Sequence, residues 1–450
     1  MKRSILERYG DARLPRYTSY PTAPRFSPTI GAGTYCDWLS QVDCDKPISL
    51  YVHIPFCRSM CWYCGCHTTI TLKDQPILDY LDVLKREISL VAGAMPGKPR
   101  IATVHFGGGT PTIMEASEFL DLDFHLRSHF AFSENTELAV EIDPRTLTDA
   151  MISALGKAGV TRASLGVQSF DPKVQEAINR TQTAAQTRIA TEGLRAAGVS
   201  SINFDLIYGL PHQTVASAIE TAETAISMRP DRFAVFGYAH VPTFKKHQRL
   251  IDEASLADTA ARHAQAEAIA ETLLDAGYRQ IGLDHFALLG DSLSIAAKTG
   301  SLHRNFQGYT TDDCKTLIGF GASSIGRSPD GYVQNEVAIG RYVQSVASGQ
   351  FATAKGYRLT ADDRMRAEII ERIMCDFSVD LAAICRDHDL SADVVVNGNL
   401  QLQRLLADKI VTLENGVLRL CGEERFLVRA VAACFDAYLD QAGRAHSKAA

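Results

Sequence analysis

The stretch Tyr51–His67, YVHIPFCRSMCWYCGCH, runs from a short apolar strand straight into a loop holding Cys57, Cys61, Cys64 and Cys66. A C-x3-C-x2-C spacing supplies three thiolates, whereas an iron–sulfur cubane has four irons to ligate, so one iron stays open to a small molecule. A cluster built only to pass electrons normally has every iron closed by protein. An open corner points to chemistry at the cluster. Structural zinc is the competing use of these thiols. It usually takes two separated ligand pairs, and the residues after His67, TTITLKDQ, bring no second pair. Zinc remains the alternative. Cys66 follows Cys64 by two residues, a poor spacing for a second ligand to one cubane, and it receives no ligand role.

Working outward from the loop, strand-like segments recur along the chain. They are Ser49–Ile54, Ile101–Phe106, Glu137–Ile142, Arg162–Val167, Ile202–Ile207 and Arg232–Tyr238. Helical patterns fall between them, as at Ile77–Val91 and at Gln186–Ala197, the latter stopped by Gly198, a natural helix end. Strand–helix alternation carried through six units predicts an α/β fold, a parallel sheet curled into a partial, TIM-like (β/α)6 barrel.

In such barrels the site lies at the C-terminal strand ends. Those ends carry the cysteine loop, GGGTPT (Gly107–Thr112), Glu141 and Asp143, Gln168 and Ser169, then Asp205, and finally Tyr238 and His240. The glycine triplet after a strand lets backbone amides approach an amino acid or a phosphate closely. It is no Walker loop, because no Gly-Lys-Ser/Thr follows, and G-x-G-x-x-G fails at Pro111–Thr112. A buried Asp205 needs partners, and ribose hydroxyls would satisfy it.

Composition sets the outer limits. A chain of 450 residues, 46% hydrophobic and 22% charged, has the balance of a soluble protein with one large domain and one smaller. A net charge of −6 argues against general nucleic-acid binding. MKRSILERYG has charges but no apolar core, so no secretory signal is expected, and no membrane-length apolar run follows. Eleven scattered cysteines fit a reducing compartment. A cytoplasmic setting is expected.

The cysteine spacing after an apolar strand, followed by GGGTPT at a strand end, resembles the radical S-adenosylmethionine (SAM) superfamily. The finer pattern is similar to the oxygen-independent coproporphyrinogen III oxidase (coproporphyrinogen dehydrogenase) family. Segments that carry the resemblance include PRYTSYPTA (Pro15–Ala23), LYVHIPFC (Leu50–Cys57), VEIDPR (Val140–Arg145), GVQSF (Gly166–Phe170) and NFDLIYGLP (Asn203–Pro211). YAHVPT (Tyr238–Thr243), LDHFA (Leu283–Ala287) and HRNFQGYTT (His303–Thr311) lie beyond the superfamily core and bear on substrate.

The resemblance implies that Cys57, Cys61 and Cys64 ligate a [4Fe-4S] cluster whose open iron chelates SAM. Reductive cleavage would give a 5′-deoxyadenosyl radical, and two propionates of coproporphyrinogen III would become the vinyl groups of protoporphyrinogen IX. Tyr51, Tyr63, Gly108, Glu141, Gln168, Arg180, Asp205, Ala239 and Ile325 match cofactor-contact positions. Gly109 and Thr110 match contacts to a second SAM, so one or two molecules are expected. No side chain is assigned a catalytic role. The substrate brings up to four carboxylates, and Arg16, Tyr17, His303, Arg304 and Asn305 are candidates to meet them. Expected partners are the tetrapyrrole and an electron donor such as flavodoxin or ferredoxin, with the chain a monomer.

Three regions are expected: residues 1–45 as an arm and lead-in, 46–345 as the barrel with its substrate-side extension, and 346–450 as a mainly helical C-terminal domain. In the last, Leu359–Cys375 and Glu423–Gln441 read as helices, and Lys409–Leu420 reads as a winged-helix-like hairpin turning at Asn-Gly. A haem-binding chaperone related to the family is the rival reading. It lacks a cysteine corresponding to Cys66 and generally lacks the HRNFQGYTT block, and both are present here. A radical-SAM enzyme acting on another tetrapyrrole remains the third.

Overall fold

The computed structural model describes residues 8–9, 12, 14–422 and 425–439. Six strands stand side by side in chain order: β1 (Ile48–Ile54), β2 (Ile101–Gly108), β3 (Glu137–Ile142), β4 (Arg162–Gln168), β5 (Ser201–Tyr208) and β6 (Arg232–Gly237). Every neighbouring pair is parallel, with Val52 opposite Phe106, Glu141 opposite Ser164 and Gly166 opposite Asp205. Parallel strands need crossovers, and the helices supply them: α1 (Gln75–Gly93), α2 (Ala116–His129), α3 (Asp149–Ala158), α4 (Ala184–Ala196) and α5 (Val215–Ile226).

Local chemistry fixes the helix ends. The Thr148 hydroxyl accepts from Met151 N at the start of α3, and Thr183 forms a reciprocal cap with Gln186 at the start of α4. Gly159 (φ 77°) and Gly198 (φ 97°) turn the chain out of these helices. The apolar faces close on one core, in which Val52, Phe106, Phe204 and Phe320 are fully buried.

The sheet goes further than six strands. Beyond β6 lie β7 (Tyr278–Ile281) and β8 (His285–Leu288). Beside β1 lie β9 (Leu317–Phe320), β10 (Ile325–Ser328), β11 (Gly331–Asn335) and β12 (Thr353–Arg358). Among the described residues the order is β12-β11-β10-β9-β1-β2-β3-β4-β5-β6-β8-β7, so the sheet has two edges and is a barrel left open. The partial barrel is as expected; the flanking strands are only four to six residues long, too short to show a clear pattern in the sequence.

A second core gathers around α6 (Ala361–Asp376) and a three-stranded sheet of β13 (Ser378–Asp380), β14 (Val411–Glu414) and β15 (Val417–Leu420). Asn415 (φ 52°) and Gly416 (φ 80°) make the β14–β15 turn, as the Asn-Gly pair predicts. Leu14, Tyr17 and Tyr20 of the N-terminal segment are buried in this same core. The helix expected at Glu423–Gln441 is corrected. The described residues hold a short 3-10 turn at Arg425–Leu427 and a helix at Val428–Ala433, while residues 423, 424, 440 and 441 lie outside them. Past Ala433 the backbone makes other bonds. Ala437 N donates to the Tyr20 hydroxyl at 2.9 Å and Tyr438 N to Asp436 Oδ1 at 2.8 Å. Among the described residues no helix is long and apolar enough to cross a membrane.

Candidate active site

The cysteine loop leaves the C-terminal end of β1 and is tied shut at its base. Thr69 N donates to the Pro55 carbonyl at 2.7 Å and Thr71 N to the Cys57 carbonyl at 3.1 Å. Its crown is held from three directions. Asn179 Nδ2 donates to Met60 O at 2.8 Å, His247 Nε2 to Cys64 O at 2.8 Å, and Lys245 Nζ to Cys66 O at 2.9 Å. Each candidate ligand sulfur has donors around it. Thr68 Oγ1 and Thr110 Oγ1 lie 3.3 and 3.5 Å from Cys57 Sγ, and Cys66 N lies 3.4 Å from Cys64 Sγ. Arg180 Nη1 and Arg145 Nη2 lie 3.5 and 3.6 Å from Cys61 Sγ. Such donors favour thiolates and tune a cluster bound to them.

The spacing of the sulfurs separates the two metal readings. A single tetrahedral zinc, with Zn–S bonds of about 2.3 Å, brings its sulfurs to roughly 3.8 Å apart. Among the described residues Cys57, Cys61 and Cys64 do not gather within 4.8 Å of one another. Sulfurs not all drawn in to one point suit ligands to different irons better than ligands to one tetrahedral ion.

Beside the loop, the end of β2 comes unusually close. A Cβ at Gly109 would stand 2.5 Å from the Phe56 carbonyl oxygen, and one at Gly107 would stand 2.9 Å from Glu141 Oε1. Gly108 has φ 119°, and its N–H donates to Glu141 Oε2 at 3.1 Å. His105 Nε2 lies 3.1 Å from Glu141 Oε1. Burial pushes the Glu141 carboxyl up, but His105 and the Gly108 N–H outweigh it and hold the group below its usual range. Tyr51 lies over His105, with ring centroids 5.9 Å apart, and its hydroxyl is 3.0 Å from His53 Nδ1.

Across the mouth, β4 ends in a bulge at Gln168, whose φ is 67°. Its Oε1 is buried with no hydrogen-bond partner among the described residues, as is Arg180 Nε. Arg180 is otherwise engaged: Nη2 donates to the Gly166 carbonyl at 2.6 Å, and both Nη atoms face Asp143 at 3.4 Å. Asp205 accepts from Asn203 Nδ2 at 2.8 Å and from Ser164 Oγ at 3.2 Å. Burial first, and Glu141 second, push its pKa up to about 7. Unsatisfied buried polar atoms in a cleft mark a place shaped for a polar ligand.

The remaining expected contacts join the same mouth. Thr110 is buried and faces Cys57, and Ile325 opens β10 beside Gly319, the register partner of Tyr51. Tyr63 and Ala239 are bridged by one side chain that the sequence reading missed. Buried Gln248 donates to the Tyr63 and Ala239 carbonyls at 3.0 and 3.2 Å. Nothing in KKHQRL marks that glutamine.

A cavity of about 400 Å³ lies where the C-terminal end of β6, the C-terminal core and the N-terminal segment meet. Arg16, Arg262, Arg304, Arg425 and Arg429 line it together with Tyr208. Two expected substrate residues, Arg16 and Arg304, are therefore there. Tyr17 is not: its side chain is buried in the C-terminal core and its hydroxyl meets Asp436 at 3.1 Å. His303 faces Glu371 of α6 at 3.3 Å, and Asn305 lines a separate space inside the barrel that also borders Glu141 and Asp205. Arg262, Arg425 and Arg429 were missed, because single arginines in helical stretches give no pattern.

The radical SAM superfamily profile matches residues 51–225 and the HemN C-terminal domain profile matches residues 359–427. The oxygen-independent coproporphyrinogen III oxidase of Bradyrhizobium diazoefficiens is 55% identical over 449 residues, covering 100% of both chains. That of Paracoccus denitrificans is 41% identical, covering 100% of this chain and 99% of the relative. The solved coproporphyrinogen III oxidase of Escherichia coli, described as a radical SAM enzyme, superposes with a TM-score of 0.90 at 37% identity, covering 94% of this chain and 98% of that one. With a three-thiol loop at the mouth of an open parallel barrel and likeness from end to end, the chain belongs to the oxygen-independent coproporphyrinogen III oxidase family of the radical SAM superfamily.

Proposed function

We propose that this chain catalyses the oxidative decarboxylation of two propionate side chains of coproporphyrinogen III to vinyl groups, giving protoporphyrinogen IX for haem biosynthesis. The observation that carries the reading is the pairing, on one barrel, of a three-cysteine loop with an arginine-lined cavity. When bound, a [4Fe-4S] cluster and SAM supply a 5′-deoxyadenosyl radical able to take a hydrogen atom from the propionate β-carbon.

The chain's own residues bind, orient and exclude water. Cys57, Cys61 and Cys64 would hold three irons. Tyr51, Tyr63, Gly108, Glu141, Gln168, Arg180, Asp205, Ala239 and Ile325 would hold the cosubstrate, with Gly109 and Thr110 at a second molecule. The low pKa direction of Glu141 keeps it an acceptor, suited to an ammonium or amide. Asp205, its pKa raised by burial to about 7, can accept from and, when protonated, donate to hydroxyls. The orphaned Gln168 Oε1 and Arg180 Nε add one acceptor and one donor to the same wall. Arg16 and Arg304 would face substrate carboxylates. We further assign the chain to the cytoplasm as a monomer served by a flavodoxin- or ferredoxin-type donor, and divide it at residues 45 and 345.

The test is anaerobic reconstitution with iron and sulfide, then reductant, SAM and coproporphyrinogen III. Protoporphyrinogen and 5′-deoxyadenosine should both form, and Cys61→Ala should abolish both while keeping the fold by circular dichroism. Stable haem binding without porphyrinogen turnover would overturn the assignment.

A further inference from the structure

The cavity at the seam is a built site, and its chemistry is uneven. Arg262, from the helix at Thr259–Asp275, reaches the ends of β5 and β6 beside Gly209 and Gly237. The two glycines leave room for it: a Cβ at Gly209 would stand 2.6 Å from Arg262 Nη1, and one at Gly237 would stand 3.1 Å from Arg262 Nη2. The guanidinium sits 5.7 Å from the Tyr208 ring centroid, and its Nε is buried with no hydrogen-bond partner among the described residues.

Arg304 is similar. Its side chain is 5% exposed, it stacks 4.4 Å over Tyr309, and Nη1 is buried with no hydrogen-bond partner among the described residues. Its other nitrogens reach the Arg16 carbonyl at 3.3 and 3.4 Å. Arg429 differs, since its donors go to the Leu14 and Pro15 carbonyls. These two arginines pin the arm by its backbone and leave the Arg16 guanidinium at the cavity.

Two of the three acids on the same wall have other partners, and the third, Asp284, is shared between His285 and Arg304. Asp258 caps a helix at Ala261 N, Glu267 faces His263 at 2.9 Å, and Asp284 faces His285 at 2.8 Å and Arg304 at 3.9 Å. Arg304 thus has Asp284 beside it and is held above its ordinary value, while Arg16, Arg262 and Arg429 crowd one another. Burial and then neighbouring Arg16 hold Arg429 down to about 10, and Arg262 is lowered by burial and by Arg16.

We propose that Arg262, Arg304 and Arg16 form a carboxylate clamp that reads how many anionic side chains a tetrapyrrole carries, holding the four-carboxylate substrate and releasing the two-carboxylate product. This deepens the functional reading above and rests on it. Each turnover passes a hydrogen atom from the propionate β-carbon to the 5′-deoxyadenosyl radical and one electron to a one-electron acceptor. It expels the carboxylate as neutral CO2 and leaves a vinyl group, so the ligand loses one negative charge per step. A crowded cluster of guanidinium groups binds each carboxylate bidentately and regains its self-repulsion as carboxylates leave. Release is thereby coupled to completion of the second decarboxylation.

The experiment uses cluster-loaded full-length protein under anaerobic conditions and reads dissociation constants by fluorescence quenching. The probes are coproporphyrin III, its tetramethyl ester and mesoporphyrin IX, with four, no and two free carboxylates. The expected result is binding about tenfold or more tighter for the tetracarboxylate than for the dicarboxylate. That ratio should shrink to about twofold in Arg262→Gln and recover in part in Arg262→Lys, which keeps charge but not the fork. Reductant-driven cleavage of SAM without substrate reports that each variant is folded and loaded. The ester measurement needs no variant: tight ester binding to the unaltered protein overturns the clamp. So does an unchanged ratio in a folded, loaded Arg262→Gln protein. If the unaltered protein turns over coproporphyrinogen III while showing either result, only the clamp fails; if it neither binds nor turns over any tetrapyrrole, the functional reading fails with it.

Discussion

The Gln248 side-chain amide donates to the Tyr63 carbonyl at 3.0 Å, joining the 240s segment to the crown of the cysteine loop. The same amide reaches Ala239 O at 3.2 Å, and its Oε1 accepts from Val241 N at 2.6 Å. Three backbone groups around the site therefore depend on one buried residue. Gln248→Ala should cost about 2–3 kcal/mol, because it leaves buried carbonyls and an N–H unpaired. Thermal unfolding measures that cost. The iron content of the reconstituted variant should fall as well, since Tyr63 lies between two candidate ligands; full iron loading with an unchanged melting temperature would remove Gln248 from the loop's support.

Close approach of β2 to the loop makes a second expectation. In Gly109→Ala the new methyl would meet the Phe56 carbonyl oxygen at 2.5 Å and Thr68 Oγ1 at 2.6 Å. The first contact is backbone and cannot swing away, so the loop must shift. A destabilisation of about 1–3 kcal/mol is expected from the overpacking, with a weaker charge-transfer absorbance after reconstitution. Gly93→Ala, where nothing stands within 4 Å of the added Cβ, is the control and should match the unaltered protein in both measurements.

Glu87 gives a pH dependence whose sign can be worked out. Its carboxylate is buried and accepts from Gly321 N and Tyr342 Oη at 2.7 Å and from Asn335 Nδ2 at 2.5 Å. Burial outweighs these donors and pushes its pKa up to about 7, from an ordinary 4.5. The folded chain then binds a proton more tightly than the unfolded one. Its contribution is fully present below about pH 4.5 and is lost as pH rises through about 7. The shift corresponds to about 3 kcal/mol. Urea unfolding should therefore show lower stability at pH 8 than at pH 6, and Glu87→Gln should flatten part of the slope. Asp205, also pushed up to about 7, titrates in the same window and keeps the remainder. An identical slope in the variant would refute the assignment.

The parallel barrel was legible because its strands are buried on both faces, and near-continuous runs such as NFDLIYG have few other uses. Helix caps at Thr148 and Thr183 and the Asn415–Gly416 turn were legible for the same local reason. The site was readable where residues cluster in sequence, as in the cysteine loop and Gly107–Gly109. It was opaque where the fold gathers single residues from afar. Gln248, Arg262 and Arg429 each arrive alone, from a segment whose local pattern gives no reason to single them out. Tyr17 shows the converse: a tyrosine beside Arg16 was grouped with it, yet the two side chains part, one to the core and one to the cavity.

That parting predicts different outcomes for two changes in the N-terminal segment. Removal of residues 1–24 deletes Leu14, Tyr17 and Tyr20 from the C-terminal core, together with the carbonyls that Arg429 and Arg304 bind. Losing a single buried aromatic costs about 3–5 kcal/mol, so the truncated chain should melt far earlier and lose turnover with its C-terminal core. Arg16→Gln removes only an exposed-side guanidinium whose nearest partner is the Gly237 carbonyl at 3.5 Å. It should leave the melting temperature within about a degree or two, the scale of neutral surface changes, yet raise KM for coproporphyrinogen III more than it lowers kcat. Equal loss of stability in both proteins would mean that Arg16 acts in the fold rather than toward the substrate, and unchanged turnover after truncation would show that the arm has no part in catalysis.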